Sequence, residues 1–408
     1  MKIKTIEQLD IENKLLFLRT DYDFTPDTDA AEIDFKIDST LYTIQYAIEN
    51  GAKLIIASHR TVKEHKYDPQ YSLGFVGDIL SARLNTNIYF PEDCIGDAVK
   101  KIKQDMNPGD VMLLENLMFH KDEIKNEPAF SRKLSENVDV YVSEAFGLAN
   151  KTYSSNTAML EYINEKCAGF CFTDELMLLT DIKASQQKPF VVFYSGGDVY
   201  TKLEFLEHMK DNIDVLMLGG VFANTLLKSI GYEISEGCYD KESVYRINKL
   251  YKSLTARNKK VVLPEDFMIG IKHEKPEGFY IDELSKLKEN FQITGVGKKT
   301  QQSFIKNINE ASVILWDGGS CFTDMYKEDV YKKDIEDNIN KADKDCKTDP
   351  ITAELINNNE KLKIICDYKS CKYFNTINEK LQISYNIDCA YSYLKGENLP
   401  GLQALEHN

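Results

Sequence analysis

The residue types able to do chemistry in this chain recur directly after short apolar runs, as lone cations, carboxylates and pairs of glycines. They read Arg19-Thr20-Asp21-Tyr22-Asp23, Ser58-His59-Arg60, Glu115-Asn116-Leu117-Met118, Ser143-Glu144-Ala145-Phe146-Gly147, Ser195-Gly196-Gly197-Asp198, Gly219-Gly220, Asp317-Gly318-Gly319 and Cys366-Asp367-Tyr368-Lys369. In an open α/β sheet the carboxyl ends of the strands are where a ligand is taken, so these segments are the candidate binding loops. Each has a plain structural reading as well: Gly-Gly is common punctuation between strand and helix, and Arg19 can act as a buried ion-pair partner of Asp21. Metal chemistry has little motif support. The nine cysteines, from Cys94 to Cys389, contain no C-x-x-C, and the six histidines contain no H-E-x-x-H. No disulfide framework and no protein-held transition metal are therefore expected, and most cysteines read as small buried residues in a reducing compartment.

The elements that must position these loops follow from hydrophobic period. Strands are predicted at Leu15 to Leu18, Leu54 to Ala57, Val111 to Leu114 and Val138 to Val142, then at Phe190 to Tyr194, Val215 to Leu218, Val261 to Leu263, Val313 to Trp316 and Leu362 to Ile365. Between the early ones lie helical stretches at Asp34 to Glu49, Leu73 to Leu84, Ile95 to Met106 and Pro128 to Glu136. Strands alternating with longer helical segments imply an α/β fold of two doubly wound, parallel-sheet domains. Phe172 to Lys183, apolar at helical spacing and free of Gly and Pro, reads as a hinge helix joining them. The expected division is 1–171, a linking segment 172–188, a second domain 189–391, and a tail 392–408 returning to the first.

A length of 408 residues suits two domains, each able to bury a core unaided. The net charge of −15 argues against a nucleic-acid partner, which would call for a basic surface to displace counterions from the polymer. No apolar run approaches the ~20 residues of a membrane span, and Glu7 and Asp10 break any signal-like start, so a cytoplasmic location and no membrane partner are expected.

The post-strand segments resemble phosphoglycerate kinases, in the same order and with similar spacing from about Lys14 to Leu405. The segments that carry the likeness are Leu18-Arg19-Thr20-Asp21-Tyr22-Asp23, Ala57-Ser58-His59, Leu114-Glu115-Asn116, Glu144-Ala145-Phe146-Gly147, Leu218-Gly219-Gly220 running on to Lys228, and Leu394 to Gly401. The resemblance implies a first half that binds 3-phosphoglycerate or 1,3-bisphosphoglycerate, a second half that binds magnesium-ADP or ATP, a hinge that closes them, and a monomer working in glycolysis. Such a reaction requires cations and backbone amides to meet the charge spread over a migrating phosphoryl group.

Position by position, the resemblance makes Arg19, Asp21 and His59 acceptor ligands, joined by Asp23 where the family has asparagine. The transition-state arginine becomes Lys36, which keeps the charge and loses the planar fork. Another family arginine becomes Val62, with Arg60 two residues away as a substitute, and a third becomes Met118. His-Arg-x-His becomes Asn150-Lys151-Thr152-Tyr153, leaving Lys151 as a ligand. On the nucleotide side the resemblance implies Gly196, Gly197, Lys202, Gly219, Lys228, Asp317, Gly318 and Asp324 as ligands. The first phosphate-facing lysine there has become Asp198, which exchanges attraction for repulsion. The Gly-Gly-Gly-Asp loop reads Cys366-Asp367-Tyr368-Lys369, so no metal ligand is assigned. Two functions follow: a magnesium-dependent phosphotransferase of reduced activity, or an inactive homologue serving as a binding or scaffold protein.

Overall fold

The computed structural model describes residues 3–184, 188–195, 197–234, 236–271, 279–281, 291–318, 363–365 and 387–406. The chain divides into two compact units, Met1–Thr180 with Asn386–Asn408, and Asp181–Tyr385. The first is built on a six-stranded sheet in the order β3-β4-β2-β1-β5-β6, every pair parallel. Its strands are β1 (Leu15–Arg19), β2 (Lys53–Ala57), β3 (Ile88–Tyr89), β4 (Val111–Leu113), β5 (Val140–Ser143) and β6 (Glu165–Ala168). β1 lies between β2 and β5 and is buried at every residue, which is why it reads as an unbroken apolar run rather than an alternating one. The two-residue β3 and the polar β6 carry no such run, and hydrophobic period alone does not find them.

Helices α1 (Ala30–Glu49), α2 (Gly74–Leu84), α3 (Asp97–Asp105), α4 (Lys121–Ile124), α5 (Pro128–Ser135) and α6 (Phe170–Ala184) complete the N-terminal stretch. α1 starts one turn before the predicted Asp34, because Asp29 caps it by accepting from the Glu32 amide at 2.8 Å. α6 begins in the first unit and ends in the second. Its N-terminus is held by the buried Glu144, which accepts from the amides of Phe172 (2.8 Å) and Cys171 (3.3 Å) and from the Thr43 hydroxyl.

The second unit has a parallel sheet in the order β14-β13-β7-β8-β9. Its strands are β7 (Phe190–Tyr194), β8 (Val215–Leu218), β9 (Lys260–Val262), β13 (Val313–Asp317) and β14 (Lys363–Ile365), with helices α7 (Val199–Met209), α8 (Gly220–Ser229), α9 (Val244–Ala256) and α10 (Lys298–Glu310). An antiparallel sheet of β10 (Phe267–Ile271), β11 (Phe279–Ile281) and β12 (Phe291–Val296) accompanies it, which the strand-helix alternation does not anticipate.

Helices α11 (Ile387–Lys395) and α12 (Pro400–Ala404) return to the first unit. Cys389 Sγ donates to the Phe146 carbonyl at 3.0 Å, Tyr393 shares a 2.6 Å hydrogen bond with Thr180, and the Gly401 amide donates to Ala149 at 2.9 Å. The returning segment thus starts before residue 392, because Cys389 and Ala390 are already core residues of the first unit. No described helix is long and apolar enough to cross a membrane.

Candidate active site

In the first unit the carboxyl ends of β1 and β2 bring Arg19, Asp21, Asp23, His59 and Arg60 together. Arg19 closes β1 and is completely buried. A buried guanidinium has to be paired to be tolerated, and this one donates from Nε to Ser155 Oγ at 2.7 Å and to the Thr20 carbonyl, with Glu123 Oε1 3.9 Å from Nη2. Its ion-pair partner is therefore Glu123, not Asp21. Glu123 is also fully buried and accepts from the Ser155 amide (3.0 Å) and hydroxyl (2.5 Å). Burial holds its carboxyl above the usual carboxylate range, with the Arg19 charge pulling the other way.

Arg19 Nη2 lies 3.1 Å from His59 Nδ1. A guanidinium can only donate, so Nδ1 accepts and the imidazole proton sits on Nε2, 3.6 Å from Asp23 Oδ2. Burial, and then the charge of Arg19, push His59 down to about 4, so it is neutral at pH 7. Asp23 is paired: Oδ1 accepts from the Thr61 amide at 2.6 Å and Oδ2 from its hydroxyl at 2.7 Å. Asp21 differs from both. Its Oδ1 is buried without a hydrogen-bond partner among the described residues, as is Thr20 Oγ1, so this is the place where the site still has an acceptor to offer a ligand hydroxyl.

Of the remaining cations, Arg60 and Lys36 are engaged within the protein. Arg60 is anchored by the main chain: Nε donates to Phe24 O (2.7 Å), Nη1 donates to Gln70 O (2.7 Å) and Ser72 O (3.1 Å), and the plane lies over the rings of Tyr71 and Phe75. Lys36 stands in the second turn of α1, its side chain 11% exposed, with Nζ 3.3 Å from Glu32 and 5.6 Å from the centre of the Phe24 ring. Lys151 is exposed. Val62 and Met118, at two expected arginine positions, are buried apolar residues, and Tyr153 sets its ring edge-on to His59 at 6.1 Å. Glu123, Ser155 and Thr61 escape sequence reasoning altogether, since partners 136 residues apart, as Arg19 and Ser155 are, leave no local pattern.

In the second unit the ends of β7, β8 and β13 converge. Asp198 adopts a left-handed backbone, φ +52°, and caps α7 by accepting from the Thr201 amide at 3.4 Å. The free amides at the start of a helix form a natural anion site, and here the chain places its own carboxylate there. Lys202 is buried, donating to the Ser195 carbonyl at 2.8 Å with Asp317 Oδ1 at 3.3 Å, so it ties β7 to the end of β13. Gly318 has φ +104° and packs so closely that a Cβ would strike the Ser195 carbonyl, while at Gly219 a Cβ would come within 3.0 Å of Ser195 Oγ. Both pack against Ser195, the residue that follows β7. Among the described residues, none comes within 4 Å of a Cβ built at Gly197.

Lys228 does not join this group. It lies in the last turn of α8, about 12 Å along the helix axis from Gly220, and its Nζ is 3.4 Å from Glu233. Gly196, Asp324 and the Cys366-Asp367-Tyr368-Lys369 loop fall outside the described residues.

The model of the family described as "Phosphoglycerate kinase" matches residues 6–348. This chain belongs to the phosphoglycerate kinase family. The phosphoglycerate kinase of Desulforapulum autotrophicum is 30% identical over 317 residues, covering 78% of this chain and 81% of the relative. That of Acidobacterium capsulatum is 29% identical over 422 residues, covering 98% of both. Among solved structures, phosphoglycerate kinase from Coxiella burnetii shares the fold at a TM-score of 0.78 and 24% identity over 99% of both chains. The enzyme from Pyrococcus horikoshii OT3 does so at 0.76 and 23% over 98% of both.

For a phosphoglycerate kinase the described nucleotide-side residues fit nucleotide phosphates poorly. A triphosphate approaching the start of α7 meets a carboxylate, and the buried Lys202 of that helix is already engaged by Ser195 and Asp317.

Proposed function

We propose that this chain is a phosphoglycerate kinase homologue in which magnesium-dependent phosphoryl transfer between ATP and 3-phosphoglycerate has fallen by about a thousandfold or more, and that it acts as a binding or scaffold protein on the kinase frame. The observation that carries this reading is the start of α7, where Asp198 occupies the anion position and Lys202 is bound internally. Lys36 adds to it: an ammonium held by Glu32 is a point charge without the bidentate geometry that lets an arginine follow the equatorial oxygens of a migrating phosphoryl group. The acceptor side keeps more of its function, with the unsatisfied Asp21 oxygen and the exposed Lys151 available to a phosphorylated hydroxy acid. By analogy with its family the protein works as a cytoplasmic monomer.

The test is ATP consumption by the purified chain with 3-phosphoglycerate and magnesium, set beside calorimetric titration with magnesium-ADP. Turnover within the ~1 to 100 s⁻¹ common among kinases would refute the proposal. A rate at the level of the blank, with little or no heat on adding magnesium-ADP, supports it.

A further inference from the structure

Away from that site, the first unit gathers three metal-ligating side chains on neighbouring strand ends. Asp93 and Cys94 lie in the loop after β3, and His120 precedes α4 in the segment after β4; β3 and β4 are adjacent in the sheet. A carboxylate oxygen, the thiol sulfur and an imidazole nitrogen from these residues all lie within 4.8 Å of one another. We infer that Asp93, Cys94 and His120 form a binding site for one zinc ion, the fourth position being left to water.

The donor set points to zinc over the harder cations. One thiolate, one imidazole and one carboxylate suit a borderline-soft d¹⁰ ion, whereas magnesium and calcium require oxygen cages. The ligand charges also sum to −2 once the thiol is ionised, so the loaded centre is neutral, which suits a half-buried location. Around a tetrahedral zinc with bonds of ~2.0 to 2.3 Å the ligand atoms stand about 3.3 to 3.8 Å apart. Reaching that spacing takes small rotations of Asp93 and His120, whose side chains are 51% and 27% exposed, about a fixed and buried Cys94.

The surroundings are ordered around this task. His120 Nε2 lies 2.6 Å from Asp93 Oδ1, and its ring rests on Phe130 with centroids 4.9 Å apart. Asp93 Oδ1 also accepts from the Cys94 amide at 2.6 Å. Cys94 Sγ donates to the Glu115 carbonyl at 2.8 Å. On loading, the S–H bond breaks, a Zn–S bond forms and the thiol proton leaves to solvent. The Asp93–His120 contact is replaced by two bonds to the ion, the neutral imidazole shifting its proton from Nε2 to Nδ1 so that the Nε2 lone pair is free to bind and no second proton is released. The absence of C-x-x-C and H-E-x-x-H does not bear on such a site, because its ligands come from two strand-end loops that only the sheet brings together.

The experiment uses the full chain and zinc alone. Metal-free protein is given one equivalent of Zn²⁺, passed over a desalting column and assayed for retained metal and for protons released into a weakly buffered indicator. The expected result is about one zinc retained and about one proton released per chain, with both signals lost in Cys94→Ser and in His120→Gln while the far-UV circular dichroism is unchanged. Cobalt substitution supplies a second readout: a thiolate-to-cobalt absorption band that disappears in Cys94→Ser and survives Cys167→Ser. Failure to retain zinc, retention that both variants leave intact, or a cobalt band that depends on Cys167 instead, overturns the assignment.

Discussion

Replacing Asp198 by asparagine isolates the charge at the start of α7 from everything else that residue does. Asparagine tolerates the left-handed backbone at φ +52° and still accepts from the Thr201 amide, so cap and fold are kept. Only the negative charge is removed. Two unit charges ~6 Å apart interact by about 3 kcal/mol at an effective dielectric of 20, and by about 0.7 kcal/mol in bulk water. Relieving that repulsion should tighten magnesium-ADP binding by about 3-fold to about 100-fold for each phosphate charge at that distance. Calorimetric titration of both proteins measures the difference directly, and the gain should shrink as salt is added. If the variant melts like the wild type and binds magnesium-ADP no better, the carboxylate is not what weakens nucleotide binding, and the electrostatic account of this loop fails.

Two further outcomes test the first unit. Burial pushes Glu144 up from its ordinary 4.5 to about 7, against the opposing hydrogen bonds from Thr43, Phe172 and Cys171. Below 4.5 this group is protonated folded or unfolded and adds no pH dependence; between 4.5 and about 7 the unfolded chain ionises first, so stability falls as pH rises, by up to about 3 kcal/mol. Glu144→Gln should flatten the urea-denaturation midpoint across that window, and an unchanged slope would exclude Glu144 as its source. Glu123→Ala strips Ser155 of two hydrogen bonds and Arg19 of its carboxylate, and should cost about 3 to 5 kcal/mol in chemical denaturation. A loss under ~1 kcal/mol would mean that the network around Arg19 relaxes freely.

The parallel sheets were legible because strands buried on both faces leave long apolar runs: Phe190–Tyr194 and Val215–Leu218 fall where hydrophobic period puts them. β3, β6 and the antiparallel β10–β12 were not, since two residues, a half-polar edge or a sheet closed by distant segments gives period little to act on. Residue identity in the binding loops was legible, and residue employment was not. Arg60 and Lys202 look like ligands in one dimension, yet both donate to main-chain carbonyls whose positions depend on how loops cross, and Lys202 also meets Asp317. Asp23 is the opposite case, a carboxylate that looks hostile to an anion until Thr61 is seen to enclose it.

The first unit is assembled from two stretches of polypeptide with the whole of the second between them, and the bond from Cys389 to Phe146 closes 243 residues of separation. Vectorial synthesis must therefore deliver every residue of the second unit before α11 exists to cover Phe146. Until then a nascent first unit leaves the aromatic pair of Phe146 and Phe172 without Tyr393, while the second unit has all of its own chain in hand and is free to fold before the first is completed.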